Sequence, residues 1–196
     1  MSKRRYGSET SKSREMLLDA AETLMRESGY AAVTSRKLAS RAGLKPQLVH
    51  YYFPTMDELF IEMFRRVKKR TMESLDNVFK ADDPLRALWD LTANRPGVIL
   101  SYEFVGLANH RKEFRAEVAE FGDRMRAVKI NIIHRIMQER ELTELPFAPS
   151  FAVVLLDSLA RNLALEAELG VHAGHAEAFE NIERFFRQFA GAAADA

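Results

Sequence analysis

Apolar residues recur at three- and four-residue spacing along most of this chain, and glycine and proline appear only at intervals between those runs. That spacing puts apolar side chains on one face of a helix, whereas a half-buried strand needs strict alternation, and no stretch here alternates for long enough. The expected fold class is therefore all-α. In SREMLLDAAETLMRESG, residues 13–29, Met16, Leu17, Ala20, Ala21, Leu24 and Met25 form a helical stripe. Ser13 is placed to cap the start and Gly29 to follow the end. In TSRKLASRAG, residues 34–43, Thr34 suits an N-cap, Leu38, Ala39 and Ala42 face inward, and Gly43 stops the helix. A helix of about two turns is unstable alone and must pack on its neighbours.

The next stretch, GLKPQLVHYYF at 43–53, poses a packing problem, because a short helix opened by Pro46 cannot bury every ring it carries. Positions three and four apart share a face. Val49 and Phe53, the purely apolar members, belong inside with Tyr52 at the edge, and Gln47, His50 and Tyr51 are left outward. Two short helices joined by a tight turn make a helix-turn-helix, whose second helix offers its outer face to the major groove. The exposed groups suit that use. A tyrosine hydroxyl bonds phosphate, Gln47 and His50 reach phosphates or base edges, and Leu48 reaches a thymine methyl. Charge points the same way. Residues 1–55 hold ten basic and five acidic residues, whereas the whole chain carries only +1, so the remainder is net acidic. A basic head on an acidic body suits a polyanionic partner.

Other functions lack their chemistry. With no cysteine there is no disulfide, thiolate metal site or cysteine nucleophile. There is no glycine-rich phosphate loop, no G-x-S-x-G and no H-E-x-x-H, so the chain is expected not to be an enzyme and to need no cofactor. His172 and His175 form an H-x-x-H without an evident third ligand, and no metal site is expected. The polar, basic N-terminus has no apolar core of a secretory signal. No apolar run approaches the roughly 18 residues of a membrane span. A cytoplasmic protein with no membrane partner is the expectation.

Residues 13–60 resemble the DNA-binding domain of the TetR family of bacterial repressors. The resemblance rests on the Gly29–Tyr30 pair after the first helix and on the Thr34-capped second helix. It continues through Ala42, Gly43, Leu44, Lys45, Pro46, Gln47, Leu48, Val49, His50, Tyr51, Tyr52 and Phe53, and then Glu58, Leu59 and Phe60. The chain departs from the family pattern at three positions. Lys45 replaces a Ser or Thr cap, His50 takes a common tyrosine position, and Met56 stands where a lysine is frequent. The resemblance implies double-stranded DNA, as a palindromic operator, for a partner. It also implies DNA contacts from Thr34, Ser35, Arg36, Lys45, Pro46, Gln47, Leu48, His50, Tyr51 and Tyr52. Lys3, Arg4 and Arg5 would form a minor-groove arm. The expected layout is a flexible basic arm over 1–12, a three-helix helix-turn-helix domain over 13–55, and a larger helical domain over 56–196, about nine helices in all.

Beyond residue 60 the resemblance is architectural. Thr55 can cap a long helix over 56–80, whose RRVKKR run (Arg65 to Arg70) reads as a solvated face. Leu85, Leu88 and Trp89 mark another helix, the RPG of 95–97 reads as a break, and ELPFAPS at 144–150 reads as a loop. The family implies a homodimer held by the last two helices, with Leu155, Leu159, Asn162, Leu163, Ile182, Phe186 and Phe189 as interface candidates. It also implies an unidentified small-molecule effector, largely apolar, with Trp89, Tyr102, Glu103, Phe104, Asn109, His110, Phe114, Phe121 and Met125 as candidate contacts. The expected function is a sequence-specific DNA-binding regulator, a repressor released by its effector. The alternative is a non-enzymatic helical interaction module whose basic head binds an acidic protein or membrane surface.

Overall fold

The computed structural model describes the backbone of residues 3–139 and 148–191, and the side chains of 12–139 and 148–187. Among the described residues all regular structure is helical: α1 (Lys3–Ser28), α2 (Ser35–Ala42), α3 (Pro46–Tyr52), α4 (Met56–Val78), α5 (Pro84–Thr92), α6 (Arg95–His110), α7 (Lys112–Glu139), α8 (Pro149–Glu168) and α9 (His175–Gly191), with a 3-10 turn at Tyr30–Ala32. The boundaries follow local chemistry. Thr34 caps α2 by accepting the Lys37 N–H, Thr55 accepts the Glu58 N–H ahead of α4, and the Asp83 carboxylate accepts the Arg86 N–H above Pro84.

Three boundaries differ from expectation. Helix α1 begins at Lys3, not near Ser13. The segment before Ser13 has no proline and a single glycine, so nothing in it stops the helix from extending, and the expected flexible arm is helical from Lys3. The side chains of Lys3, Arg4 and Arg5 lie outside those described. The RPG at 95–97 is the first turn of α6, not a break. Proline is tolerated there because a first-turn N–H has no intrahelical partner, and Asn94 Oδ1 caps the turn by accepting the Gly97 N–H at 2.9 Å. Of the expected 144–150 loop, residues 144–147 lie outside the described residues, and Pro149 already belongs to α8.

The chain divides into two compact units: Met1–Arg70 with Ile99–Val118, and Thr71–Val98 with Ala119–Ala196. The expected cut after residue 55 is therefore displaced. The first four turns of α4, most of α6 and the start of α7 belong with the head. In this first unit α2 packs against α1 and α3, around Leu17, Met25, Leu38, Val49, Phe53, Leu59 and Leu107. The second unit is built on one apolar cluster, including Leu75, Leu88, Trp89, Ile132, Ile136, Val153, Leu163 and Phe186.

Candidate nucleic-acid interface and effector cavity

The turn between α2 and α3 is closed by Gly43, at φ 65°, a left-handed conformation that costs a residue with a Cβ. Gly43 N–H donates to Ser40 O at 3.3 Å, and Leu44 N–H donates to Ala39 O at 2.9 Å. This fixes where α3 starts. Lys45 precedes α3 without a side-chain cap, and Pro46 opens it. Burial then sorts the helix as the spacing requires. Val49 and Phe53 are buried, Leu48 and Tyr52 half-buried, and Pro46, Gln47, His50 and Tyr51 exposed. Tyr51 is 69% exposed, its ring meeting Tyr52 edge-on at 5.0 Å. On α2, Thr34 and Arg36 are exposed and Ser35 is half-buried.

Ion pairs stitch this head together. Arg41 meets Glu27 with two 2.6 Å hydrogen bonds, linking α2 to α1. Arg14 reaches Glu62 at 2.5 Å and lies 5.3 Å over the Phe53 ring. The RRVKKR run is not simply solvated. Arg66 pairs with Glu15, Asp19 and Glu22, and Arg70 also reaches Glu22. Arg65 and Lys68 meet Glu117. Burial raises the Glu62 carboxyl, but Arg14 and Arg65 outweigh it and hold it below the ordinary range. Lys68 does the same for Glu117.

Helix α6 joins the head directly. Glu103 Oε2 accepts the Tyr30 N–H at 2.6 Å. The Tyr30 ring lies against Gly106, where an added Cβ would come within 3.2 Å of it.

The candidate effector contacts divide between the units. Phe104 and Phe114 pack with Phe64 in the head, with ring centroids 4.9 and 5.2 Å from it. Glu103 is spent on Tyr30, while Tyr102, Asn109 and His110 lie exposed on the same α6. Trp89, Phe121 and Met125 belong to the second unit, where Met125 packs against the apolar cluster. The second unit does hold a cavity of about 330 Å³, lined from α5 by Leu85 and Trp89, from α7 by Ile133 and Ile136, from α8 by Leu155 and Leu159, and from α9 by Ile182, Phe185 and Phe186. Only Trp89 of the effector candidates lines it.

The interface candidates also divide. Leu155, Leu159 and Asn162 are exposed and Ile182 half-buried, but Leu163 and Phe186 are core residues, 8% and 7% exposed. Phe186 meets Trp89 edge-on at 5.9 Å. Leu163 and Phe186 therefore hold this chain together. The Phe189 side chain lies outside those described. Sequence reasoning missed a buried polar group: Lys129 on α7 donates to Asp157 on α8 and to Thr92 on α5. Burial lowers the Lys129 pKa against the pull of Asp157. Its signal is a lysine at a stripe position, four residues after Met125 and before Ile133. His175 Nε2 lies 2.9 Å from Glu166 Oε2. Among the described residues no group of three or more His, Asp or Glu is placed to hold a metal, and no helix is long and apolar enough to cross a membrane.

An α2–turn–α3 unit with a buried apolar face and an exposed polar-aromatic one defines a helix-turn-helix DNA-binding protein. Residues 17–63 match the family described as bacterial regulatory proteins, tetR family. The match covers the helix-turn-helix segment, which is thus similar to the DNA-binding region of that family. It is 32% identical to the HTH-type transcriptional regulator BetI of Rhizobium meliloti (strain 1021) over 68 residues, a match spanning 35% of this chain and about a third, 34%, of that protein. The fold extends further. A transcriptional regulator from Rhodococcus sp. Rha1 superposes with TM-score 0.67 at 22% identity, over 91% of this chain and 94% of that one. One from Saccharomonospora viridis, solved in complex with choline, gives TM-score 0.73 at 19% identity, over 83% and 88%.

Proposed function

We propose that the chain is a homodimeric repressor that leaves a palindromic operator when a small apolar effector binds. The observation that carries the reading is the sorting of α3: Val49 and Phe53 hold the helix in place while Gln47, His50 and Tyr51 face solvent. Gln47 reads base edges, since glutamine pairs bidentately with adenine. Tyr51 and Lys45 fix register on phosphates, with Thr34 and Arg36 beside them at the start of α2. One such head contacts few base pairs, so two heads related by a two-fold axis supply the affinity, and the operator mirrors that symmetry. The exposed α8–α9 face supplies the dimer contact, and the cavity of the second unit takes the effector. Among the described residues its lining has one polar side chain, Asn181, which suits an uncharged apolar molecule.

Selection of random duplexes by the purified protein tests this. The expected result is an enriched palindrome with two half-sites. Recovery of duplexes without sequence preference would sink the reading in favour of a general polyanion binder.

A further inference from the structure

We infer that the head carries a binding site of its own, for a small zwitterion with an apolar side chain, the chemistry of a free aliphatic α-amino acid. The site is a cavity of about 360 Å³ where the start of α4 meets the α6–α7 junction, a size that falls among small-molecule pockets. All of its lining belongs to the first unit. Of the candidate effector contacts only Phe114 lines it.

The lining has two halves. In the apolar half Phe60, Leu107 and Phe114 are 3%, 0% and 3% exposed, with Ile61 half-buried beside them. Phe114 is fixed among other rings, its centroid 5.2 Å from that of Phe64 and 5.8 Å from that of Phe104. The charged half is Asp57, Arg111, Lys112 and Glu113. Arg111 is half-buried and the other three are exposed. These two cations and two anions sum to zero. A lone anion in the cavity would face Asp57 and Glu113, and a lone cation would face Arg111 and Lys112. A zwitterion meets an opposite charge at each end and brings no net charge with it.

The centre of the charged half is an ion pair with capacity to spare. Arg111 Nε lies 2.6 Å from Asp57 Oδ1, and the Arg111 guanidinium carbon lies 5.5 Å from the centre of the Phe60 ring. A guanidinium has five N–H donors and a carboxylate about four acceptor positions, so this contact uses only part of each group. A ligand carboxylate takes the guanidinium in the forked manner that arginine favours, with Lys112 beside it. The ligand ammonium takes Asp57, with Glu113 beside it. The two signs stand side by side in this pair, which matches a molecule whose ammonium and carboxylate share one carbon. Its hydrocarbon side chain then lies toward Phe60 and Ile61.

The test titrates L-leucine into the full chain and follows the methyl resonances of Ile61 and Leu107 against those of Ile182, which lines the other cavity. The expected result is a saturable shift at Ile61 and Leu107, with Ile182 unmoved and a Kd of about 1 mM or tighter. Isocaproate lacks the ammonium and isoamylamine the carboxylate. Each should bind at least about tenfold more weakly than L-leucine, as L-leucine should to Arg111→Gln, because a charge-assisted hydrogen bond is lost. Glycine, with no side chain for the apolar half, should also bind at least about tenfold more weakly. Failure of L-leucine to saturate would overturn the inference, and so would shifts at Ile182 without shifts at Ile61. Isocaproate or isoamylamine binding as tightly as L-leucine would overturn it too, because the site would then suit a single charge, and equal affinity for glycine would remove the apolar half from it. Unchanged affinity in Arg111→Gln would do the same for the ion pair. If that variant misfolds by circular dichroism, the exposed substitution Lys112→Gln takes its place, with a severalfold loss expected and an unchanged affinity overturning the inference.

Discussion

Both compact units combine an apolar core with ion pairs between helices, but they differ in how these are arranged. In the head, charged side chains bridge the helices around their apolar core: Arg41 to Glu27, Arg14 to Glu62, Arg66 across to Glu15, Asp19 and Glu22. The second unit has one continuous apolar cluster with a cavity beside it, surface ion pairs from Arg86 to Glu183 and from Arg95 to Glu168, and one buried lysine, Lys129, among its described residues. The contrast follows from what each presents outward. A recognition helix of seven residues can spare only Val49 for the fully buried layer, so the elements around it must be fixed by directional contacts. The head also holds a cavity, of about 360 Å³, but Asp57, Arg111, Lys112 and Glu113 line it beside Phe60 and Phe114, whereas the walls of the cavity in the second unit are almost wholly apolar.

The most severe way to test that contrast is to disturb the buried ion pair of the second unit. Lys129→Met leaves Asp157 part-buried without its cation and should cost about 3 kcal/mol. Adding Asp157→Leu should recover most of it, as a urea titration followed by Trp89 fluorescence would show. If the double variant were as unstable as the single one, the pair would be a net stabiliser, and the second unit would depend on polar contacts as much as the head does.

Next is Glu103→Ala, which removes a charged acceptor from the Tyr30 N–H and should cost roughly 1.5–3 kcal/mol. Glu103→Gln, which keeps a neutral acceptor, should recover about half. Equal losses in both variants would mean that charge, not the hydrogen bond, holds the turn. Because α6 has residues in both units, Glu103→Ala should also reduce the effect of an effector on operator affinity, a coupling usually worth 5–150-fold.

Acid should weaken the head. Glu62 and Glu117 are held below the usual carboxylate range in the folded protein. Their stabilising contribution is complete above the unfolded value of about 4.3 and is lost as pH falls through the lower folded values. Tyrosine signals from the head should change as pH falls below the unfolded glutamate value, and a tyrosine signal unmoved by acid would remove these two carboxylates from the head's stability.

The smallest effect belongs to recognition. Tyr51→Phe should weaken all duplexes alike by about 0.5–1.5 kcal/mol, and Gln47→Ala should alter which bases are selected. A selected sequence unchanged by Gln47→Ala would remove Gln47 from base reading.

Legibility in the sequence followed the range of the interactions. The three-helix head, its caps at Thr34 and Gly43 and the two faces of α3 depend on neighbours within four residues, and the spacing alone placed them. The start of α1 was missed because Ser13 is a good cap but nothing before it forbids helix. Arg95–Gly97 read as a break because proline is ambiguous between stopping a helix and opening one. The cavity was not legible, since Leu85, Ile133, Leu155 and Phe185 meet only through tertiary packing. That Leu163 and Phe186 are buried within the chain was not legible for the same reason. A stripe shows that a helix has an apolar face, but not whether that face meets its own chain or another.

The head is discontinuous in the chain, and that has a consequence during synthesis. Residues 1–70 emerge from the ribosome well before Ile99–Val118, the segment that completes the same unit. Translation proceeds at about 5–20 residues per second, so α1 to α3 pass several seconds with Tyr30 lacking its Glu103 acceptor and Lys68 lacking Glu117. A nascent helix-turn-helix in that interval has its sequence but not its full support, and the protein gains a finished DNA-reading surface only once α6 and the start of α7 have been made.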